Sequence, residues 1–227
     1  MKLKYKLCIA LFAWVSAFHV AAAPQTHAEV SNVTTELNDI QIRLKAQQSA
    51  DKGDWKTVYT LLLPLAQRGD SQAQVNLGIL FSSGRGVEKN LEKAYWWFNE
   101  SAEQGNAKAV TYIGLMYLEG VGVKQDTKHA IRILEKAGRV DYPRAMLALG
   151  NAYYMEKNLQ KSFLWFERAA MKGVSEAQFK LGMMYEKGEG THKDEEQAVY
   201  WYQTSLKAND DIAEFAKERL SALGRLR

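Results

Sequence analysis

Residues 73–81 read AQVNLGILF, and the same pattern returns three times along this chain of 227 residues. Residues 109–117 read AVTYIGLMY, residues 145–153 read AMLALGNAY and residues 177–185 read AQFKLGMMY. The copies begin 36, 36 and 32 residues apart, and each keeps an alanine, a Leu-Gly or Ile-Gly pair and an aromatic residue in register. A fixed period of this size is typical of solenoids, in which no single repeat can bury its own apolar face. We therefore expect an all-α chain that presents a long surface rather than an enclosed pocket.

A second repeating set of residues follows each copy and predicts a second helix in every unit. Its members are pairs spaced three residues apart: Ala94 and Trp97, Ala130 and Ile133, Ser162 and Trp165, Ala198 and Trp201. Trp97, Trp165 and Trp201 hold equivalent positions in their units, which predicts that they are core residues. The glycine of each Leu-Gly or Ile-Gly pair costs helix propensity, about 1 kcal/mol, so we expect it to let a neighbouring helix approach closely.

The repeats divide the chain into four helix–turn–helix units, with one segment before them and one after. The units cover residues 71–105, 106–141, 142–173 and 174–209. Residues 34–70 are expected to form N-terminal helices and a partial repeat, with one apolar stripe made of Val30, Val33, Leu37, Ile40 and Leu44. Unit three has a turn four residues shorter than the others, and Asp141 stands where other units end in glycine. Residues 210–227 are expected to form a capping helix and a basic tail that shield the last unit.

These residues resemble a known family. The run Ala73-Gln74-Val75-Asn76-Leu77-Gly78, the turn Gly84-x-Gly86-Val87, the run Lys93-Ala94-x-x-Trp97-Phe98 and the terminal Gly105 are similar to the Sel-one-like repeat (SLR), a subclass of the tetratricopeptide-like helical repeats. The resemblance covers residues 50–210 and recurs four times. It implies an α/α solenoid wound as a right-handed superhelix, with a concave face and a protein-binding adaptor role. It does not identify the partner.

The N-terminus carries the pattern of a secretory signal peptide over residues 1–23, followed by a flexible lead over residues 24–33. Lys2, Lys4 and Lys6 precede an apolar stretch over residues 7–20, and residues 21–23 are three alanines. The apolar stretch is shorter than the roughly 20 residues of a membrane span. We therefore expect a periplasmic or secreted protein cleaved after residue 22 or 23, with an uncleaved N-terminal anchor as the alternative.

Removal of that segment changes what the composition indicates. It takes away three lysines and no acidic residue, so the formal net charge falls from +4 to +1. The basic character therefore does not predict a nucleic-acid partner or a stable membrane attachment. The only cysteine, Cys8, lies in the removed segment, which excludes disulfides and thiolate zinc sites from the remainder.

No residue pattern predicts a catalytic centre, a metal site or a cofactor site. Ser49 and Lys52 match the Ser-x-x-Lys pattern of penicillin-binding serine enzymes, but the companion motifs are absent. We interpret the acidic run at residues 194–196 as helix capping, because negative charge suits the first turn of a helix. The expected class is therefore a non-enzymatic protein.

The expected binding surface is a stripe on the first helices that faces the concave side. Its positions lie at fixed distances from each Leu-Gly or Ile-Gly pair, and most of them are apolar: Val75, Ile79, Thr111, Leu115, Leu118, Leu147, Asn151, Tyr154, Phe179 and Met183. Exposed apolar stripes of this length usually mark a partner site. The alternative is a tight superhelix in which these residues pack across the concave side. Trp96 occupies a variable position of the second helices. We expect it to be an exposed aromatic residue, with edge packing against a neighbouring unit as the alternative.

The function favoured by these observations is an exported scaffold that binds another protein along its concave face. The resemblance leaves several more specific roles open. Periplasmic relatives include immunity proteins that neutralise lipases delivered by a type VI secretion system, and others assist flagellar or envelope assemblies or act in host interaction. Some cysteine-rich relatives are linked to β-lactams and cell-wall fragments, which makes an enzyme of that class the remaining alternative.

Overall fold

The computed structural model describes residues 39–208 and 210–225, in which the regular structure is entirely helical. The predicted signal peptide and lead, residues 34–38 and most of the predicted N-terminal stripe lie outside the described residues. In chain order the helices are α1 (Asp39–Asp51), α2 (Trp55–Gln67), α3 (Ser71–Ser83), α4 (Leu91–Glu103), α5 (Ala107–Glu119), α6 (Thr127–Gly138), α7 (Pro143–Met155), α8 (Leu159–Met171), α9 (Ser175–Lys187), α10 (Glu195–Ser205) and α11 (Asp211–Ala222), with a 3₁₀ turn at Leu206–Ala208.

The helices are arranged as consecutive pairs that stack into an α-solenoid. Each odd-numbered helix from α1 to α9 is the first helix of a pair, and it packs against the even-numbered helix that follows. Each second helix also packs against the first helix of the next pair, while α11 covers α10 and contacts α9. The predicted all-α repeat fold is therefore confirmed. Within the described residues, no helix combines the length and apolarity needed to cross a bilayer.

Local sequence explains where these helices begin and end. Most of them start after an Asp or Asn whose side chain accepts a hydrogen bond from a backbone N–H of the first turn, as Asn90 does from Lys93 at 2.8 Å. Asp194 caps α10 in the same way, at 3.0 Å from the backbone nitrogen of Gln197, which agrees with the interpretation of the acidic run. A left-handed glycine such as Gly84 ends the first helix of units one, two and four.

The glycine of each Leu-Gly or Ile-Gly pair is the point of closest approach within its unit. A Cβ atom on Gly78 would lie 2.5 Å from Phe98, and one on Gly150 would lie 2.4 Å from Phe166. The large side chain that occupies this space always comes from the second helix of the same unit: Phe98, Leu134, Phe166 and Tyr202. These partners are fully buried. The close approach predicted from the glycines is therefore present in all four units.

Neighbouring pairs also meet at a glycine, in the turn between helices. A Cβ atom on Gly86 would lie 2.4 Å from the backbone of Trp55, and one on Gly190 would lie 2.2 Å from the carbonyl oxygen of Leu159. Trp55 and Leu159 are the first residues of α2 and α8. The long turn of one unit therefore rests directly on the start of the second helix in the pair before it.

The predicted stripe of the N-terminal helix is wrong where the structure describes it. Ile40 and Leu44 are 66% and 59% exposed, whereas α1 buries Ile42, Ala46 and Ser49. The physical reason is the closeness of α2. When α1 is aligned with α3 by a shift of 32 residues, Ala46 takes the place of Gly78, so a small side chain faces the neighbouring helix. The segment is a complete helix pair with a short turn, as in unit three.

The core assignment of the tryptophans is right for one of the three. Trp97 is buried, with 8% of its surface exposed, but Trp165 and Trp201 are only half-buried. In each second helix the residue after the tryptophan position carries the side chain that faces the glycine, and this residue forms the core instead. Trp165 and Trp201 lie one residue away, about 100° around the helix, and pack at its margin.

The turns before and after α7 differ in backbone conformation from the equivalent turns elsewhere. Asp141 and Lys157 have positive φ angles of 59° and 57°, and they are the non-glycine residues with this conformation among those described. Gly105 and Gly53 hold the equivalent positions elsewhere, at φ 83° and 74°. A side chain in the left-handed region costs roughly 1–2 kcal/mol. Lys172, whose amino group lies 3.0 Å from the Asp141 carboxylate, helps to hold the first of these turns.

We predict that Gly150→Ala destabilises the protein by about 1–3 kcal/mol, the usual cost of overpacking a core, although alanine is the better helix former. The added methyl group meets the Phe166 ring. Urea unfolding followed by circular dichroism measures the change. Phe166→Leu in the same chain removes part of the ring and should recover part of the loss. If Gly150→Ala alone is neutral or stabilising, the close approach does not limit this unit.

Candidate functional site

Two grooves open on the face made by the first helices, one near each end of the array. The first has a volume of about 280 Å³ and lies between α1 and α3, with Trp55 and Leu62 of α2 at its floor. The second has a volume of about 130 Å³ and lies between α7 and α9. Both therefore occupy the step from one first helix to the next, where a partner segment could run across the units.

The grooves show which side of each first helix is open. In α3 the groove residues Gln72, Asn76 and Ile79 are spaced four and three apart, so they share one side of the helix. In α7 and α9 the second groove is lined by the equivalent positions Asn151, Lys180 and Met183. We call the open side of the first helices the groove face. Its members in α3, α5, α7 and α9 are the sets Gln72, Asn76, Ile79 and Ser83; Lys108, Tyr112, Leu115 and Glu119; Arg144, Asn151 and Met155; Glu176, Lys180, Met183 and Lys187. Ala148 holds the remaining position of α7 but is buried.

The predicted stripe contains part of this face. Ile79 lines the first groove, and Asn151 and Met183 line the second. Leu115 holds the equivalent position in α5 and is half-buried. Tyr154, the residue before the last groove-face member of α7, also lines the second groove. These five residues are accessible to a partner, and their role in binding stays a prediction.

The other half of the predicted stripe does not form a surface. Val75, Thr111 and Leu118 are buried, with 0%, 2% and 5% of their surfaces exposed. Leu147 is half-buried and packs against the core cluster around Met146 and Phe166. The reason is the rotation of the helix, which turns by about 100° per residue. The predicted stripe lies roughly 60° around the helix axis from the groove face, on the side that contacts the neighbouring unit.

Phe179, the remaining member of the predicted stripe, belongs to the C-terminal closure. Its ring lies 5.5 Å from that of Tyr202 and 6.3 Å from that of Phe215 on α11. It therefore joins the last unit to the capping helix. A substitution at Phe179 would disturb this packing, so it cannot report on binding alone.

The sequence analysis missed the first two groove-face positions of each first helix as candidate contact positions. The predicted stripe contains none of the residues at these positions: Gln72, Asn76, Lys108, Tyr112, Arg144, Glu176 and Lys180. The signal was available, because residues three, four and seven apart share one side of a helix. Stepping back from Ile79 by three and by seven residues leads to Asn76 and Gln72.

Polar groups give the second groove a defined chemistry. The hydroxyl of Tyr154 donates a hydrogen bond to Oε2 of Glu189 at 2.9 Å. This bond, with some burial and the negative charge of Glu189, raises the pKa of Tyr154 above its usual range. Lys180 lies 3.5 Å from Glu176 and above the ring of Phe166. The groove thus offers hydrogen-bonding groups around an apolar floor that includes Met183 and Met184.

The first groove combines an apolar floor with amides and an ion pair at its rim. Arg43 and Asp70 form that pair, joining α1 to the start of α3. On the groove face, Nε2 of Gln72 donates to Oδ1 of Asn76 at 3.2 Å. Primary amides can donate to and accept from a peptide backbone, so this side of the array is also suited to an extended chain.

Trp96 is exposed, as predicted, but it lies on a different side of the array. It is 51% exposed and packs edge-on against Trp97 at 4.5 Å. Leu164 and Tyr200 hold the equivalent positions in units three and four and are 53% and 55% exposed, while Arg132 holds that of unit two. These four residues form a second, discontinuous surface that we call the second-helix row.

The residues considered for chemistry are not assembled into a reactive site. Ser49 is buried in α1, whereas Lys52 is exposed in the following turn. In the described ranges 39–208 and 210–225, no three His, Cys, Asp or Glu side chains are grouped in a way that could hold a metal ion.

The periodicity and the helix pairs match a known family. A family model described as the Sel1 repeat matches residues 71–106, 107–141, 143–174 and 175–210, more than half of the chain. The chain belongs to the Sel1 repeat family. The resemblance inferred from the sequence is therefore confirmed.

Similar proteins come from animals and from bacteria. DAP3-binding cell death enhancer 1 of Rattus norvegicus is 37% identical over 175 residues, which are 75% of this chain and 34% of that protein. This Sel1 repeat chain thus spans about a third of the length of that relative. Among solved structures, a Sel1 repeat protein from Oxalobacter formigenes has a TM-score of 0.70 at 26% identity, covering 80% of this chain and 76% of its own. The antigen c5321 of uropathogenic Escherichia coli has a TM-score of 0.67 at 30% identity, covering 73% and 36%.

One residue near the groove face holds the end of the array together. Glu186 of α9 accepts hydrogen bonds from the hydroxyl of Tyr202 at 2.6 Å and from Nε of Arg219 at 3.2 Å. Burial alone would raise the pKa of Glu186, but these bonds and the charge of Arg219 outweigh it and lower the pKa. The carboxylate therefore links α9, α10 and the capping helix.

We predict that Glu186→Gln lowers the free energy of unfolding by about 1–3 kcal/mol at neutral pH, since hydrogen bonds to charged groups are the stronger ones. A folded-state pKa that is depressed stabilises the fold above the unfolded-state pKa, about 4.3, and that contribution is lost as pH falls through the folded value. The gap between wild type and variant should therefore close below about pH 4. The control is Glu214→Gln, whose pair with Lys217 is exposed; it should cost under about 0.5 kcal/mol. An equal cost for both variants would contradict the assignment.

Proposed function

We propose that this Sel1 repeat protein is an exported, non-enzymatic scaffold that binds an extended segment of a partner protein along its groove face. The observation that carries the proposal is the continuity of that face: two grooves lie three helix-pair steps apart on the same side of the first helices. At about 8–10 Å per helix step, the grooves are separated by roughly 30 Å. An extended segment of about nine residues would reach from one to the other.

Physical chemistry supports this use of the surface. The groove-face side chains stand on helices that are fixed on their other sides by buried packing, so the surface is largely formed before binding and little ordering entropy is lost. Apolar anchors such as Ile79 and Met183 lie beside amides that can pair with a peptide backbone. Methionine adapts to irregular partners. The rat relative is named for binding another protein, which supports a protein-binding role without implying the same partner.

The more specific roles remain alternatives within this proposal. Neutralisation of a lipase effector from a type VI secretion system and help in envelope or flagellar assembly both require a protein on the groove face. Binding of cell-wall fragments or β-lactams would place a small molecule in one groove. The identity of what the groove face retains separates these roles.

The binding half of the proposal predicts a face-specific loss of capture. Tyr154→Ala with Met183→Ala should weaken capture of the partner from a periplasmic extract by about tenfold or more, because truncated anchors usually cost 1–2 kcal/mol each. The matched control is Leu164→Ala with Tyr200→Ala on the second-helix row, which removes as much exposed side chain. Mass spectrometry quantifies the captured protein for each form.

The possible outcomes of this experiment separate the surfaces. Loss in the control variant with retention in the groove variant would move the site to the second-helix row that includes Trp96. Retention of peptidoglycan fragments in place of a protein would favour the cell-wall alternative. Phe179 is left unchanged in both variants because its truncation would loosen the capping helix.

The export half of the proposal rests on the basic, apolar and small-residue segments over residues 1–23. We expect the protein recovered from the periplasm or medium to begin at residue 23 or 24. Intact mass spectrometry measures this directly. A membrane-bound protein that still begins at Met1 would contradict cleavage and favour the anchored alternative.

A further inference from the structure

The centre of the groove face, between its two grooves, carries two cations in neighbouring units. Lys108 of α5 and Arg144 of α7 occupy the same repeat position, which in α3 is held by the groove residue Gln72. The helices α5 and α7 contact each other directly. Because the residues are equivalent and their helices are adjacent, the two positive groups lie side by side on the face.

No carboxylate compensates these cations in the part of the chain that the structure describes. Ion pairs form at other places on and near the face, as between Lys180 and Glu176 or between Arg43 and Asp70, but neither Lys108 nor Arg144 takes part in one. Asp141, three residues before Arg144, pairs with Lys172 instead.

The surroundings make the positive charge more costly than on an open surface. Lys108 is half-buried, and burial together with the nearby charge of Arg144 lowers its pKa. Both residues also lie in the first turn of a helix, where the backbone itself is partly positive and acidic side chains are favoured. A like-charge pair at such a place destabilises the free protein, and an anion from outside would relieve it.

Two tyrosines complete the cluster with hydroxyl groups. Tyr112 follows Lys108 by one turn, and its ring is stacked on that of Phe98 at 4.7 Å, which fixes its position. Tyr142 precedes α7; burial and the neighbouring Tyr112 raise its pKa, while Arg144 opposes this shift. Each of the two phenols carries an O–H group that can donate a hydrogen bond, next to two cations that can only donate.

We propose that Lys108 and Arg144 select the partner by charge, and that the bound segment carries Asp or Glu side chains at its centre with apolar side chains on both flanks. This inference rests on the proposed function and names the chemistry of its partner. The central carboxylates would meet the cations and the hydroxyls of Tyr112 and Tyr142. The flanking apolar side chains would enter the grooves beside Trp55 and Ile79 at one end and Met183 at the other.

The test is a display selection with random peptides of about ten residues, a length that spans the face when extended. The purified protein is used as wild type, as Lys108→Glu with Arg144→Glu, and as the control Lys128→Glu with Lys136→Glu. The control residues are exposed on α6 and change the net charge equally. Thermal unfolding verifies that each variant is folded, and Lys108→Gln with Arg144→Gln replaces the reversal variant if it is not.

The expected result is that peptides selected on the wild type are enriched in Asp and Glu at their centre. Measured by fluorescence anisotropy, they should bind the reversal variant about tenfold or more weakly and the control within about twofold, with affinity falling as salt rises. Selected peptides that lack central acidic residues and bind the reversal variant as tightly as the wild type would overturn the inference and leave the proposed function standing. A selection that yields no binding peptide on any form would overturn both.

Discussion

The contact between a glycine of each first helix and a large side chain of the second helix is the constraint on which this solenoid depends. Because the glycine has no Cβ, the facing side chain, Phe166 in unit three, can lie where a methyl group would otherwise stand. Each pair is thereby held at close range with a dense contact on its inner side. The opposite side of the first helix is left open, and this opening is the groove face. The surface available to a partner is therefore a consequence of how the pair closes.

Much of this architecture could be predicted from the sequence, because residues of the same type recur at fixed intervals along the chain. The repeated Leu-Gly and Ile-Gly pairs predict both the number of units and the site of close approach, and an Asp or Asn stands at the start of most helices. The resemblance to Sel1 repeats followed from the same positions. Periodic features of this kind need no knowledge of what lies next to them in space.

The open side of the first helices could not be predicted in the same way. Val75 and Leu118 are as apolar as Ile79, yet they are buried while Ile79 lines a groove. The apolar Leu44 is largely exposed on α1, which buries the polar Ser49. Hydrophobicity does not separate these cases, because burial at each position depends on the neighbouring unit, which is distant in sequence. The same holds for Lys108 and Arg144, which become a pair only when α5 and α7 are placed side by side.

The turn glycines have a consequence for how such a protein can change during evolution. At Gly86 and Gly190 one unit meets the preceding one through backbone atoms, so this joint places few demands on which side chains surround it. Selection can therefore alter the groove-face residues without reshaping the joints. A duplicated unit would lengthen the face by about 10 Å while reusing the same contacts. The residues that recognise a partner can therefore change while the residues that join the units stay the same. A family built on this plan can acquire new partners faster than it acquires new folds.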